Sequence, residues 1–141
     1  MKVKVKKTRE NAKIPTYAHK GDAAMDLYSC QTKFIHPGER MLIGTGIAME
    51  IPEGYVLNIW DKSGHALKYG ITILGGVVDS SYRGEIGVMI LNTGDEVFKV
   101  NRGDKMAQGI LYKHEQPILE ETNELSKSDR GEKGYGSTGR Q

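Results

Sequence analysis

The residues with the clearest chemical potential lie in the polar link between two apolar runs, residues 71–74 and 86–91. β-Branched runs on either side of a short link predict a β-hairpin. The glycine pair 75–76 has no side chains, so a flat ligand can approach the backbone and hydrogen-bond with its N–H and C=O groups. Asp79 and Tyr82 would then project near that ligand. The alternative is an ordinary hairpin, in which Asp79 opens a turn and Tyr82 is half buried.

A second candidate lies in residues 61–70, the one plausible helical segment. Ser63 stands near its predicted start and Gly70 just past its predicted end. Because the first turn of a helix has unpaired N–H groups, and Lys62 adds positive charge beside them, this segment is a credible seat for a phosphate. His65 is expected to be a surface or packing residue. The four histidines show no metal-ligand spacing, so none is assigned to a metal.

Residues 129–141 form a third candidate, because they combine four glycines and one aromatic residue with no aliphatic side chain. Such a composition cannot build a core, so the segment is predicted to be mobile. Glycines with Ser and Thr can form a backbone nest for phosphate oxygens, and Arg130 can grip a phosphate with two donors. The alternative is a disordered end that resembles a linker.

Two polar residues stand within predicted strands. Leu27 is expected to point inward, which turns Asp26 to the opposite face, and the spacing favours a solvated carboxylate there. Gln108 is an unexpectedly polar member of the last long strand, residues 105–112. Neither position reveals a role by spacing alone.

The elements that must position these residues are short strands separated by Pro and Gly turns. Strands of about five residues with such punctuation predict an all-β sandwich or barrel. Besides the two runs that flank the glycine pair, strands are predicted at residues 3–5, 33–35, 40–43, 46–51, 55–60, 97–100 and 105–112, and one more includes Asp26 and Leu27.

Composition narrows the class of protein further. The 141 residues suit one domain, and a formal net charge of +2 argues against a dedicated nucleic-acid binder. Cys30 is the only cysteine, which excludes an intramolecular disulfide and a cysteine-based zinc site. The N-terminus alternates lysine with valine and lacks the apolar core of a signal peptide, and no run is long enough to span a membrane. We therefore expect a soluble intracellular protein with a cytoplasmic location.

Taken in order, five segments resemble the five short motifs of the trimeric dUTP diphosphatase (dUTPase) family, and the resemblance covers nearly the whole chain. The segments are AMDLY at 24–28, KSGHA at 62–66, GVVDSSYRGE at 76–85, GDKMAQ at 103–108 and RGEKGYGSTG at 130–139. Four positions depart from the usual motifs, which have Gly at Ala24, Arg at Lys62, Leu at His65 and Phe at Tyr135. Lysine keeps the charge of arginine but not its planar pair of donors.

The resemblance implies a jelly-roll-like β-barrel with one short helix, a body at 1–120 and a flexible C-terminal arm at 121–141. It also implies a homotrimer in which each active site draws residues from three chains. The implied reaction is hydrolysis of dUTP to dUMP and pyrophosphate by attack of water on the α-phosphorus. That reaction keeps uracil out of DNA and supplies dUMP for thymidylate synthesis.

The resemblance also assigns roles to residues. Asp79 is the implied catalytic residue that orients and deprotonates the water. Magnesium would be held mainly by phosphate oxygens and waters, with Asp26 contacting those waters. The implied substrate-binding residues are Lys62, Ser63, Gly64, Gly75, Gly76, Val78, Tyr82, Gln108, Arg130, Tyr135, Gly136, Ser137 and Thr138.

Two alternatives stay open. The first is a dCTP deaminase or another deoxynucleotide pyrophosphatase of the same fold, against which Asp79 and the glycine-rich tail argue. The second is a non-catalytic nucleotide sensor or protein-binding regulator, which would tolerate the departures at Lys62 and His65. Every implied phosphate ligand is retained as a polar residue or glycine, which favours the enzyme.

Overall fold

The computed structural model describes residues 1–134, which form eleven β-strands and one short α-helix. The helix α1 spans Ser63–Tyr69. The strands are β1 (Lys4–Lys7), β2 (Met25–Tyr28), β3 (Lys33–Ile35), β4 (Arg40–Gly44), β5 (Ile47–Glu50), β6 (Tyr55–Trp60), β7 (Ile71–Leu74), β8 (Val77–Val78), β9 (Gly87–Asn92), β10 (Phe98–Val100) and β11 (Lys105–Lys113).

The strands form antiparallel sheets. The largest has the order β2-β11-β6-β8, the next has the order β4-β9-β7, and β1-β5 and β10-β3 form two-stranded sheets. All four sheets contribute apolar side chains to one buried cluster, which includes Leu27, Ile35, Ile47, Leu57 and Ile90. The predicted all-β architecture is therefore confirmed for residues 1–134, because each sheet buries one face in a shared core.

Alternation along the strands explains this core. In β9 the buried residues are Val88, Ile90 and Asn92, and in β6 they are Leu57 and Ile59. Because successive strand residues point to opposite faces, every second residue of these strands enters the core. In β2 the predicted alternation fails, because Met25, Asp26 and Leu27 are all buried.

The two apolar runs around the glycine pair do pair with each other, as predicted. Strands β7 and β9 are antiparallel, with Leu74 opposite Met89. The link at 75–86 is not a simple turn, however, because it contains β8, which pairs with β6 in the larger sheet and puts Val78 opposite Leu57. The loop therefore bridges two sheets.

The predicted helix is confirmed as a short element that begins at Ser63. It ends where Gly70 adopts a left-handed conformation, with φ 65° and ψ 33°, and the Gly70 N–H donates to Ala66 O. Glycine suits that position because a side chain disfavours positive φ. Within residues 1–134, no helix has the length and apolarity needed to cross a membrane.

Residues 114–134 form neither helix nor strand, and all of their side chains are exposed. The apolar residues Ile118 and Leu119 are 97% and 91% exposed. The strands thus end at Lys113, before the predicted division at residue 120. That division into body and arm stays a prediction.

Candidate active site

The loop at 75–86 lines a cleft of about 600 Å³. Val78, Asp79 and Tyr82 all contribute to it. The other lining residues include Arg9 and Gln31, which lie far from the loop in sequence. Sequence reasoning missed both, because only folding brings the N-terminal segment to this loop.

The glycine pair has the backbone freedom that the sequence suggests. Gly75 and Gly76 have φ values of +72° and +91°. A side chain at residue 76 is excluded, because an added Cβ would lie 2.6 Å from the carbonyl oxygen of Ile59. The Ile59 N–H donates to Gly76 O at 2.7 Å. Glycine is thus required where the loop meets β6.

The glycine pair lines a different cleft from Asp79. This second cleft, of about 660 Å³, is also lined by Trp60 and Gln108, and Val77 is common to both clefts. The two clefts are therefore neighbours on either side of β8.

Gln108 lies in β11 opposite both Asp26 and Trp60. Its Nε2 donates to the carbonyl oxygen of Asp61 at 2.8 Å. Asp61 Oδ1 in turn accepts from Ile73 N at 2.7 Å. The polar residue in an otherwise apolar strand is explained, since its amide holds the segment that leads into α1.

Asp26 is buried, with 5% of its surface exposed, so the expectation of a solvated carboxylate was wrong. Its strand pairs with β11, and Asp26 N donates to Thr16 O at 2.8 Å on the other side. Oδ1 of Asp26 accepts from Lys62 Nζ at 2.5 Å, and Oδ2 lies 2.7 Å from Lys105 Nζ. A pattern of alternation could not show that two lysines from distant segments cover this face.

The two lysines decide the ionisation of Asp26. Burial acts to raise the pKa of Asp26, but hydrogen bonds and positive charge from Lys105 and Lys62 outweigh it and leave the pKa below its ordinary value. Sequence reasoning missed Lys105, although its place in the same motif as Gln108 was a usable signal. The result is one carboxylate held between two ammonium groups.

The ion pairs of Asp26 make the stability of the folded protein depend on pH. The folded state lowers the pKa of Asp26, so its contribution to stability is complete above the ordinary Asp pKa of about 3.9 and is lost as pH falls through the lower folded value. We expect Asp26→Asn to lower the free energy of unfolding at pH 7 by about 1–3 kcal/mol, and to lose less stability than wild type on acidification.

Thermal unfolding between pH 7 and pH 3 measures this difference. Asp95→Asn is the matched control, because Asp95 is exposed and makes no ion pair among the described residues. A variant whose acid profile overlays that of wild type would contradict the role given to the two lysines.

Ser63 and Gly64 open α1 and are both exposed. The first N–H of the helix that donates to a backbone carbonyl is that of His65, which bonds Lys62 O at 2.9 Å. Within the described chain, the N–H groups of Ser63 and Gly64 have no acceptor. Lys62, the residue before them, reaches Asp26, so the structure brings together Asp26 and this predicted phosphate seat.

His65 packs among aromatic rings rather than in an open catalytic position. Its ring centroid lies 5.3 Å from that of Phe98, edge-on, and 6.3 Å from that of Tyr69. Burial, with the charge of Lys62, lowers the pKa of His65 below its ordinary value, so the ring is neutral at pH 7. Across residues 1–134, no group of three or more His, Cys, Asp or Glu side chains is placed to hold a metal ion.

Arg130 lies on the exposed segment after β11. Its Nε donates to Lys133 O at 2.9 Å, so its only contacts in the described chain are local. The remaining predicted ligands of the tail lie outside the described residues; they are Tyr135, Gly136, Ser137 and Thr138.

The predicted site residues thus fall into separate groups within one chain. Asp79 and Tyr82 share one cleft, Gln108 and the glycine pair share its neighbour, and Lys62 with Asp26 forms a cationic cluster that faces a third cleft. Arg130 joins none of them. Within residues 1–134 of one chain, the predicted residues do not line a single pocket.

Comparison with known proteins identifies the family of this chain. The family model described as dUTPase matches residues 10–139. The chain belongs to the dUTPase family. Among curated relatives, it is 48% identical over 141 residues to the deoxyuridine 5'-triphosphate nucleotidohydrolase of Clostridium novyi, which covers 99% of both chains. It is 46% identical over 140 residues to that of Clostridium tetani, over 98% of this chain and 97% of the relative.

Solved dUTPase structures agree with this assignment. The chain is similar to the dUTPase of Staphylococcus bacteriophage 80alpha with dUpNHpp, with a TM-score of 0.93 and 30% identity over 98% of both chains. It is also similar to a mutant dUTPase from phage phi11 of S. aureus described with a structural Mg(II) ion, with a TM-score of 0.84 and 28% identity over 89% of this chain and 99% of the other. The predicted family and its jelly-roll-like β fold are confirmed.

Proposed function

We propose that this protein hydrolyses dUTP to dUMP and pyrophosphate. The observation that carries the proposal is the cleft in which the family's third motif presents Asp79 beside Tyr82. The identity of the dUTP-hydrolysing relatives supports the same substrate. Such a reaction removes dUTP, which limits uracil in DNA, and makes dUMP available for thymidylate synthesis.

The base would be read by the backbone of the loop. Strand β8 is the edge strand of its sheet, so Val77 and Val78 have one side paired with β6 and the other open. Backbone groups around Gly75, Gly76 and Val78 can donate to the uracil oxygens and accept from its N3–H. Cytosine reverses this pattern and would leave buried polar groups unpaired, which produces strong discrimination.

Tyr82 would read the sugar. Its hydroxyl donates to Glu85 O at 2.9 Å, which holds the ring beside the cleft. A ring that packs flat against deoxyribose leaves no room for a 2′-hydroxyl. Ribonucleotides should therefore be poor substrates.

Asp79 would orient the attacking water and accept its proton. Its side chain is exposed in the cleft, and a carboxylate at hydrogen-bond distance can act as a general base. The water oxygen bonds to the α-phosphorus while the bond from this phosphorus to the bridging oxygen breaks. Pyrophosphate leaves with that oxygen, and the water proton passes to Asp79.

The phosphates would lie at the start of α1 and along the polar groups near it. The open N–H groups of Ser63 and Gly64 can donate to phosphate oxygens, and Gln108 retains a second amide N–H after its bond to Asp61. Lys62 and Lys105 add positive charge on either side of Asp26.

Asp26 fits a magnesium ion only in its outer coordination sphere, through metal-bound waters. Each oxygen of Asp26 accepts one lysine, which leaves about two of its four lone-pair sites for metal-bound waters. When bound, Mg²⁺ would neutralise charge on the phosphate oxygens that hold it. Asp26 would then orient the waters around the ion without coordinating it.

We propose a homotrimer whose three chains share each active site, since the separate residue groups of one chain can meet only across an assembly. A body at 1–120 and an arm at 121–141 fit this arrangement, because residues 114–134 are exposed and add no strand to the body. Arg130 and the tail residues Tyr135, Gly136, Ser137 and Thr138 would close over the nucleotide. The proposal includes a cytoplasmic location and no nucleic-acid or membrane partner.

The test is pyrophosphate release by the purified protein with Mg²⁺, with dUTP, dCTP, dTTP and UTP compared side by side. We expect strong preference for dUTP. Preference for dCTP, or deamination without pyrophosphate release, would instead indicate a dCTP deaminase or another deoxynucleotide pyrophosphatase of this fold. Absence of any reaction would favour a nucleotide-binding regulator.

A further inference from the structure

The carboxylate of Glu85, on the wall of the cleft that contains Asp79 and Tyr82, accepts hydrogen bonds from three donors. Glu85 Oε2 accepts from Thr8 Oγ1 at 3.1 Å and from Arg9 Nε at 3.0 Å. Glu85 Oε1 accepts from Gly46 N at 3.2 Å. Burial acts to raise the pKa of Glu85, but these donors outweigh it and lower the pKa. The Glu85 carboxylate is therefore ionised at neutral pH.

The N-terminal segment that supplies two of these donors is itself fixed to the body. The N–H groups of Thr8 and Arg9 both donate to Gly46 O, at 2.8 and 3.3 Å. Strand β1, which precedes them, pairs with β5. The two side chains that donate to Glu85 therefore come from a backbone segment that is itself hydrogen-bonded to the body.

The same residue holds Tyr82. The Tyr82 hydroxyl donates to the main-chain oxygen of Glu85, and the ring lies over Gly84, where an added Cβ would come within 2.6 Å of the ring carbon Cζ. A shift of Glu85 would move that carbonyl and release the ring. The residue that accepts from the Tyr82 hydroxyl is thus also bonded, through its carboxylate, to Thr8 and Arg9, which lie more than seventy residues away in sequence.

We propose that Arg9 and Glu85 are positioning residues that set the discrimination between deoxyribonucleotides and ribonucleotides through Tyr82. This inference rests on the proposed function, because it assumes that the Tyr82 ring faces the sugar. Arg9 acts by holding Glu85, and Glu85 acts by holding the tyrosine hydroxyl. Removing either bond lets the ring tilt away and admits a 2′-hydroxyl.

The experiment compares kcat/KM for dUTP and UTP in wild type, Arg9→Met and Glu85→Gln. We expect the dUTP-to-UTP ratio to fall about tenfold in Arg9→Met, and Arg9→Lys to restore most of it because an ammonium can still pair with Glu85. Lys7→Met is the matched control, since Lys7 is an exposed cation of the same segment that makes no ion pair in the described chain. It should retain the wild-type ratio.

A double-mutant cycle tests whether Arg9 acts through Tyr82. Tyr82→Phe removes the hydroxyl and should lower the ratio by itself, and adding Arg9→Met should then have little further effect, because both changes break one connected chain of bonds. Equal loss of activity with both nucleotides would overturn the inference, since a direct contact or a general loss of structure acts on both alike. An unchanged ratio in a folded Arg9→Met protein would overturn it as well.

Binding of unreactive dUTP and UTP analogues separates this inference from the proposed function. If wild type binds the analogues selectively but hydrolyses neither nucleotide, the proposed reaction is wrong. The inference is then tested by the ratio of the two dissociation constants, which should change in Arg9→Met. If Arg9→Met does not fold, Glu85→Gln supplies the same comparison. Wild type that binds both analogues equally would overturn the inference outright.

Discussion

Asp79→Asn is expected to lower kcat for dUTP on the order of 10³-fold while nucleotide binding stays close to that of wild type. The amide has the shape of the carboxylate but cannot accept the proton of the attacking water, and loss of a general base typically costs 10²- to 10⁴-fold. Asp79 is exposed in its cleft, so the substitution leaves no buried charge or cavity. Single-turnover kinetics and calorimetric binding of an unreactive dUTP analogue measure the two effects separately.

Glu53→Gln is the matched control, because it removes a carboxylate that is also exposed but lines none of the three clefts. It should keep full activity. An Asp79→Asn enzyme with normal turnover would remove this residue from the mechanism and reopen the choice of base. Weak binding together with weak turnover would instead assign Asp79 a role in holding substrate.

Deleting residues 130–141 is expected to lose most of the activity, by about a hundredfold or more, without unfolding the body. The loss follows because Arg130 and the glycine-rich run are proposed to complete the charge-stabilising shell around the phosphates and to exclude water. The body should persist because the cut falls within a segment that is fully exposed and contributes no strand. Pyrophosphate release, thermal unfolding and light scattering report activity, fold and assembly.

Two further variants test whether Arg130 itself contributes to this loss of activity. Arg130→Lys keeps the charge but loses the planar pair of donors, so it should fall between wild type and the deletion. Lys127→Met removes an exposed cation outside the five motifs and should behave as wild type. Normal activity of the shortened protein would contradict the closing role of the arm, and loss of the trimer would assign the segment to assembly.

The cluster of Lys62, Asp26 and Lys105 concerns the position at which this chain has Lys62 where the family motif usually has arginine. Lysine in place of arginine at residue 62 has a single ammonium instead of a planar fork. In the structure a second ammonium, from Lys105, lies on the other oxygen of the same carboxylate. The positive charge of the seat is thus supplied by two residues, of which sequence reasoning identified one.

The sequence by itself determined what depends on local rules. Short runs bounded by Pro and Gly turns predicted strands such as β6 and β9, because such turns end a strand locally. The helix end at Gly70 followed from the left-handed conformation that glycine favours. Five ordered motifs also identified the family, since each motif is a local string of residues.

The tertiary structure alone decided what depends on which segments meet. Asp26 is buried because Thr16, β11 and two lysines from distant segments cover it. The loop at 75–86 bridges two sheets because β8 pairs with β6, and Glu85 is anchored by a segment more than seventy residues away. Burial and hydrogen bonding are properties of pairs of segments in space, so no pattern within one segment could predict them.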